Sequence, residues 1–166
     1  DDCHSWLQYV RSLSLSGKII PLFITNAMDD IPLPVYGDGK QVRDWMYVMD
    51  HAKGIDIAFH QGMPGEVYNL GGGNERYNID VTKAILKNLG KPESLIKYVT
   101  DRPGHDRRYS LNSDKLKGLG FTPDTDFDAR LSDTVRWYVE NEAWWRKIKA
   151  SESYQSFHKK WYAERK

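Results

Sequence analysis

The sequence contains one cysteine, Cys3, so no internal disulfide can staple the chain and one thiol supplies no metal-ligand set. No apolar run approaches the ~18 residues of a membrane span, and the first twenty residues lack the basic start and apolar stretch of a signal peptide. These absences predict a soluble protein of a reducing cytoplasm, with no membrane partner. An excess of either charge is also missing. The 24 Lys+Arg against 23 Asp+Glu leave a formal charge of +1, too little for a field that would draw the chain onto nucleic acid. No repeat recurs at 20 to 50 residues, and no low-complexity linker divides the chain.

What is present is ordinary for one folded domain: 166 residues, 40% hydrophobic and 28% charged. Six tryptophans and ten tyrosines are many. Those of the second half recur at helical spacing within charged sequence, which predicts core packing, with a docking surface as the alternative.

Residues 1–17 show no clear period and read as an extension. From Lys18, the positions Ile20, Phe23, Ile24 and Ala27 predict a helix with one apolar face and Pro21 in its first turn. Two apolar stretches flank Gly37-Asp38-Gly39, a tight-turn signal between strands. Asp50 is the expected cap of a helix that stops at Gly62. EVYNL at 66–70 reads as a short buried strand ending in glycines, and Asn78 as the cap of a helix closed by Gly90. IKYVT reads as a strand and Ser113 as the start of a short helix. The run 127–149, free of Gly and Pro, predicts one long helix, and the tail a short one. Helices alternating with short strands, without a long series of βαβ units, give a mixed α/β class with a small sheet.

The segment Asp101 to Tyr109, DRPGHDRRY, sets three arginines, His105 and two aspartates around Pro103-Gly104. Guanidinium groups suit bidentate contact with phosphate oxygens, and Arg43, after the glycine-rich turn, is a second cationic candidate for clamping a pyrophosphate. The alternative is a surface ion-pair cluster. Other matches fail on their own terms. Gly71-Gly72-Gly73 is followed by Arg76 where a dinucleotide fingerprint needs its third glycine. The Tyr-x-x-x-Lys spacings at Tyr36/Lys40 and Tyr162/Lys166 straddle glycines or end the chain, and neither is a credible catalytic pair.

Three strings, PLPVYGDGKQVRDWMYVMDHAKGID, GEVYNLGGGNERYN and DRPGHDRRYSLNSDKL, closely resemble, in order and spacing, the carboxyl-terminal half of dTDP-glucose 4,6-dehydratases, which are extended short-chain dehydrogenase/reductases. The resemblance runs from about Lys18 onward and implies a nucleotide-sugar-binding domain over 18–166, the substrate-binding lobe without most of the Rossmann domain. Carried over by position, it implies nucleotide-sugar contacts at Lys18, Ile19, Pro34, Val35, Tyr36, Arg43, Asn78, Asp101, Arg102, Pro103, Gly104 and His105, with Arg108 and Tyr109 nearby. Family members use NAD in a lyase reaction of deoxysugar biosynthesis. The glycine-rich NAD loop, the helical Tyr-x-x-x-Lys pair and the Asp-Glu pair of that reaction are not matched in this sequence. The resemblance therefore implies a dTDP-sugar as ligand, no catalytic residue, and no NAD bound by this chain alone. Its partner would be an amino-terminal half or a second copy meeting the exposed lobe interface. A non-catalytic binding or interaction module, or a remnant, is the alternative. In either case residues 1–17, unlike the family, could cover part of that interface with Trp6, Leu7 and Val10 on one helical turn.

Overall fold

The computed structural model describes residues 9–10, 18–101 and 103–158. Among the described residues three two-stranded sheets lie among seven α-helices, a mixed α/β arrangement with small sheets. Strand β1 (Tyr9–Val10) runs parallel to β4 (Met46–Tyr47). Residues 9 and 10 are thus extended; Trp6, Leu7 and the rest of 1–17 lie outside the described residues.

Helix α1 (Ile19–Met28) is buried from Ile20 through Ala27. The expected single apolar face is therefore wrong. A helix apolar all round is a core helix, and α1 packs against α3 (Asn78–Leu89) and α5 (Phe127–Glu140). Ile20, Phe23 and Ile24 meet Val81, Ile85, Leu131 and Val135 in the main hydrophobic cluster. Each fully buried large side chain there contributes roughly 1.5–3 kcal/mol.

Strands β2 (Leu33–Tyr36) and β3 (Val42–Asp44) flank the Gly37-Asp38-Gly39 turn as expected, but they do not pair with each other. β2 runs parallel to β6 (Ile96–Val99), while β3 runs antiparallel to β5 (Glu75–Tyr77). The turn delivers the chain from one sheet to the next. Gly37 and Gly39 have φ of +56° and +72°, and a Cβ on Gly39 would stand 2.8 Å from Val35 Cγ1 and 2.9 Å from Ile79 Cβ, so the position needs glycine.

Helix α2 (Val48–Gln61) begins before Asp50 and is capped by Tyr47. Asp50 sits in its first turn, buried, where its carboxylate accepts from Asp124 N at 2.9 Å and meets Lys53 at 3.3 Å. It anchors a distant loop rather than capping. Asn78 is likewise the first residue of α3, with Tyr77 as cap, and Gly90 closes the helix at φ +64°. Residues 66–70 carry no strand assignment, and Val67 is 77% exposed. Tyr68 and Leu70 turn inward onto Met46, Leu116 and Phe121, so the in-out alternation of a strand is present without a ladder.

The 3-10 turn Glu93–Leu95 precedes β6, and α4 (Asp114–Lys117) starts after Ser113 as expected. The predicted long helix is broken at Asn141 into α5 and α6 (Glu142–Lys149). Asn141 Nδ2 donates to Trp137 O at 2.9 Å and Trp145 Nε1 to Tyr138 O at 2.9 Å. The Trp145 side chain takes the Tyr138 carbonyl that a continuous helix would use, and the bend brings Trp145 into the core. Helix α7 (Glu152–His158) ends the described chain. No described helix is long and apolar enough to cross a membrane.

Candidate functional site

Strand alternation puts Gln41 and Arg43 on one face of the chain leaving the glycine turn, and both are buried, at 1% and 2% exposure. Burying a guanidinium requires partners on all sides. Arg43 Nη1 donates to Val42 O at 2.7 Å. Its Nη2 donates to Asp106 O at 3.1 Å and to His105 Nε2 at 2.9 Å. The Tyr109 ring covers it, 4.1 Å from Cζ, a cation–π contact in a desolvated place.

Arginine can only donate, so His105 Nε2 accepts and its proton lies on Nδ1. Nδ1 is 2.5 Å from Asp101 Oδ1, and the other oxygen of Asp101 accepts from Gln41 Nε2 at 2.7 Å. Gln41, Asp101, His105 and Arg43 thus form one continuous hydrogen-bonded row. Tyr36 meets His105 edge to face at 5.9 Å. Backbone bonds hold the row and the glycine turn against their neighbours: Gly37 N donates to Val99 O of β6, and from the start of α3 Asn78 N donates to Gln41 O and Ile79 N to Gly39 O.

The structure therefore brings Tyr36, Arg43, Asp101, His105 and Tyr109 together around the turn, with Asn78 at the start of α3 beside it. Pro34 and Tyr36 are half-buried on one side of β2, whereas Val35 points into the core, leaving only its backbone for a ligand. Pro103 and Gly104 are exposed on the loop. Lys18 and Ile19 stand at the start of α1, and no hydrogen bond joins them to this group among the described residues. Arg102 lies outside the described residues.

The remaining arginines of the loop are in surface ion pairs. Arg107 makes a bidentate pair with Asp38 at 2.8 and 2.9 Å, and Arg108 meets Glu75 at 2.9 Å. The Arg107 guanidinium and the Lys40 backbone amide hold the Asp38 carboxyl well below its usual range. Glu75 is lowered by Ser110 and then by Arg108. Tyr109 Oη donates to Asp106 Oδ2 at 2.5 Å, which orients the ring over Arg43.

Sequence reasoning missed Gln41. The signal was available as a polar residue two positions before Arg43 in a strand, on the same face. Asp44 was missed too. Its carboxylate accepts from Gly72 N and Asn74 N, each at 2.8 Å, so the triple-glycine loop is folded around a side chain of its own protein. Those amides are the donors a pyrophosphate would require, and a carboxylate already occupies them. The glycine loop, so filled, does not fit a dinucleotide phosphate.

The chain matches the GDP-mannose 4,6 dehydratase family over residues 9–134, a match that begins inside the stretch read as unlike the family. It is 49% identical over 129 residues to a dTDP-glucose 4,6-dehydratase of Actinoplanes sp., covering 77% of this chain and 40% of that protein. Among solved structures, the dTDP-glucose 4,6-dehydratase of Bacillus anthracis in complex with NAD superposes with a TM-score of 0.74 at 49% identity, covering 80% of this chain and 42% of that one. The Streptomyces venezuelae dTDP-glucose 4,6-dehydratase with NAD and TYD bound gives 0.76 at 46% identity, over 80% and 41%. The chain thus spans about 40% of the length of the relatives it matches. It belongs to the GDP-mannose 4,6 dehydratase family, as a partial-length homologue of dTDP-glucose 4,6-dehydratases.

Proposed function

We propose that residues 18–166 form the nucleotide-sugar-binding portion of an NAD-dependent dTDP-glucose 4,6-dehydratase of deoxysugar biosynthesis, the carboxyl-terminal substrate lobe without most of the Rossmann domain, inactive when alone. The observation that carries this reading is the buried Arg43 held under Tyr109 beside His105 and Asp101. A guanidinium kept immobile and desolvated binds phosphate oxygens without first losing conformational freedom. A diphosphate would compete with the Asp106 carbonyl and His105 Nε2 for Arg43 Nη2. Tyr36, Pro34 and the backbone of Val35 would face the thymine, and Asn78 the nucleoside. Its Oδ1 is a buried acceptor with no partner among the described residues, which supports a ligand hydroxyl or N–H there.

The relatives' structures hold NAD, whereas the glycine loop here is folded around Asp44. On this reading NAD sits on the portion of the relatives that this chain does not match. Thermal unfolding with dTDP-glucose, UDP-glucose and NAD tests it. A ligand present at 100 times its dissociation constant adds about 2.7 kcal/mol, so the expected result is a raised Tm with dTDP-glucose, a smaller rise with UDP-glucose and none with NAD. A Tm raised by NAD alone overturns the reading. A non-catalytic interaction module is favoured by one specific feature, the exposed Ile55, Phe59, Met63 and Val67, and its signature is no response to any nucleotide.

A further inference from the structure

His105 is the member of the Arg43 row that faces the guanidinium with a titratable acceptor. Its side chain is 5% exposed. Nδ1 stands 2.5 Å from Asp101 Oδ1 and Nε2 stands 2.9 Å from Arg43 Nη2, so the neutral ring donates on one side and accepts on the other. The other groups around it are accounted for. Tyr36 of β2 meets the ring edge to face at 5.9 Å. Asp106 turns its carboxylate to Tyr109 Oη and offers Arg43 its carbonyl, while Arg107 and Arg108 pair with Asp38 and Glu75.

Two acceptors therefore occupy Arg43 Nη2, the Asp106 carbonyl and His105 Nε2. The carbonyl remains an acceptor at any pH. The imidazole does not: a proton on Nε2 makes it a donor, ends its bond to Arg43 and sets a second cation 2.9 Å from the first. The row then holds two cations against the one carboxylate of Asp101, an imbalance that a buried place penalises. An arriving diphosphate supplies the missing negative charge. Its oxygens would accept from Arg43 Nη2 and His105 Nε2 together, with Asp101, held by Gln41 Nε2 at 2.7 Å, stabilising the imidazolium from the Nδ1 side. Without that proton the same oxygens would meet the Nε2 lone pair.

We infer that a nucleoside-diphosphate sugar binds at Arg43 together with a proton taken up on His105 Nε2, so that the site is proton-linked and binds more tightly as pH falls through the range in which histidine titrates. The inference rests on the proposed function for the identity of the ligand. The proton comes from solvent, and no covalent bond to a heavy atom forms or breaks. The ligand does not supply it, because a diphosphate esterified at both ends keeps its negative charges across that range. The complex holds more protons than the free chain, and lower pH therefore favours the complex.

Calorimetric titration of the chain with dTDP-glucose between about pH 8 and about pH 5.5, in two buffers of unequal ionisation heat and neither of them phosphate, provides the test. The Kd should fall by about tenfold across that range, and the heats in the two buffers should differ in the direction of proton uptake. In His105→Gln, which offers a donor to Asp101 and an acceptor to Arg43 but cannot take up a proton, both effects should vanish, with the urea midpoint recording that the variant is folded. Nitrogen NMR of the wild-type ring gives a second readout that needs no variant: neutral with its proton on Nδ1 in the free chain, doubly protonated at saturation with dTDP-glucose. Binding with no pH dependence, equal heats in the two buffers, or a neutral ring in the complex overturns the inference and leaves the nucleotide-sugar reading standing. A pH dependence that survives in folded His105→Gln overturns it as well, since the proton then goes elsewhere. Absence of binding at every pH overturns both.

Discussion

Asp101 and His105 face each other across the Pro103-Gly104 turn with Oδ1 and Nδ1 2.5 Å apart, and the second carboxylate oxygen is held by Gln41, sixty residues away in sequence. One side chain thereby fixes both the ring that leans on Arg43 and the strand that carries it. In Asp101→Ala, His105 Nδ1 and Gln41 Nε2 lose their acceptor together. Unsatisfied buried donors cost about 1–3 kcal/mol each, so the urea midpoint should fall clearly. Gln41→Leu should lower it less, because the His105 contact survives. Equal midpoints for all three proteins would show that the row is not a structural unit.

Gly39→Ala should destabilise more than Gly65→Ala. Both positions have positive φ, +72° and +84°, and the conformational penalty is about 1–2 kcal/mol at each. Only at Gly39 does the new methyl also collide, with Val35 and Ile79, whereas nothing lies within 4 Å at Gly65. Overpacking adds roughly 1–3 kcal/mol. Urea unfolding of the two variants checks the order.

Asp44→Ala removes the acceptor of Gly72 N and Asn74 N. The expected outcome is faster amide exchange at those two residues, with the amides of Ile85 and Leu86 in α3 unchanged, read by exchange with residue resolution. If the loop amides stay protected, the carboxylate is not what folds the loop.

Asp29 links α1 to α6 through Lys149 at 2.8 Å and Arg146 at 2.9 Å. Burial pushes its pKa up, but the Lys149 and Arg146 contacts outweigh it and the net shift is downward. A carboxylate with a depressed folded pKa stabilises above its unfolded value, near ~3.9, and that stabilisation is lost as pH falls through the folded pKa. Stability of the wild type should therefore drop more steeply than that of Asp29→Asn between about pH 5 and pH 2, as followed by the denaturation midpoint across that range.

Much of the fold was legible because local rules settle it. Gly90 closes α3 in the left-handed conformation and Ser113 precedes α4. The strands PLPVY and IKYVT are both present, but their pairing with each other is a contact between residues about sixty apart, which no local pattern encodes. The predicted long helix is broken at Asn141, where Trp145 takes the Tyr138 carbonyl and enters the core, an effect that depends on tertiary packing. Asp50 and Asn78 read as caps because their types favour that role, yet both lie inside the first turn of their helices, the Asp50 carboxylate holding Asp124 N and the Asn78 amide donating to the Gln41 carbonyl. At the site, Arg43 and DRPGHDRRY stood out by composition. Their convergence runs through Gln41, which holds Asp101 and is a polar residue whose importance appears only once it is buried.

The most direct measurement is calorimetric titration of the chain with dTDP-glucose, beside Arg43→Ala and Arg43→Lys variants whose urea midpoints are recorded as folding controls. Hydrogen bonds to charged groups are worth about 1.5–3 kcal/mol, so saturable binding weakened about tenfold or more in both variants is the predicted result. No heat of binding to the folded wild type, or binding undiminished in the two variants, would contradict a nucleotide-sugar site built on Arg43.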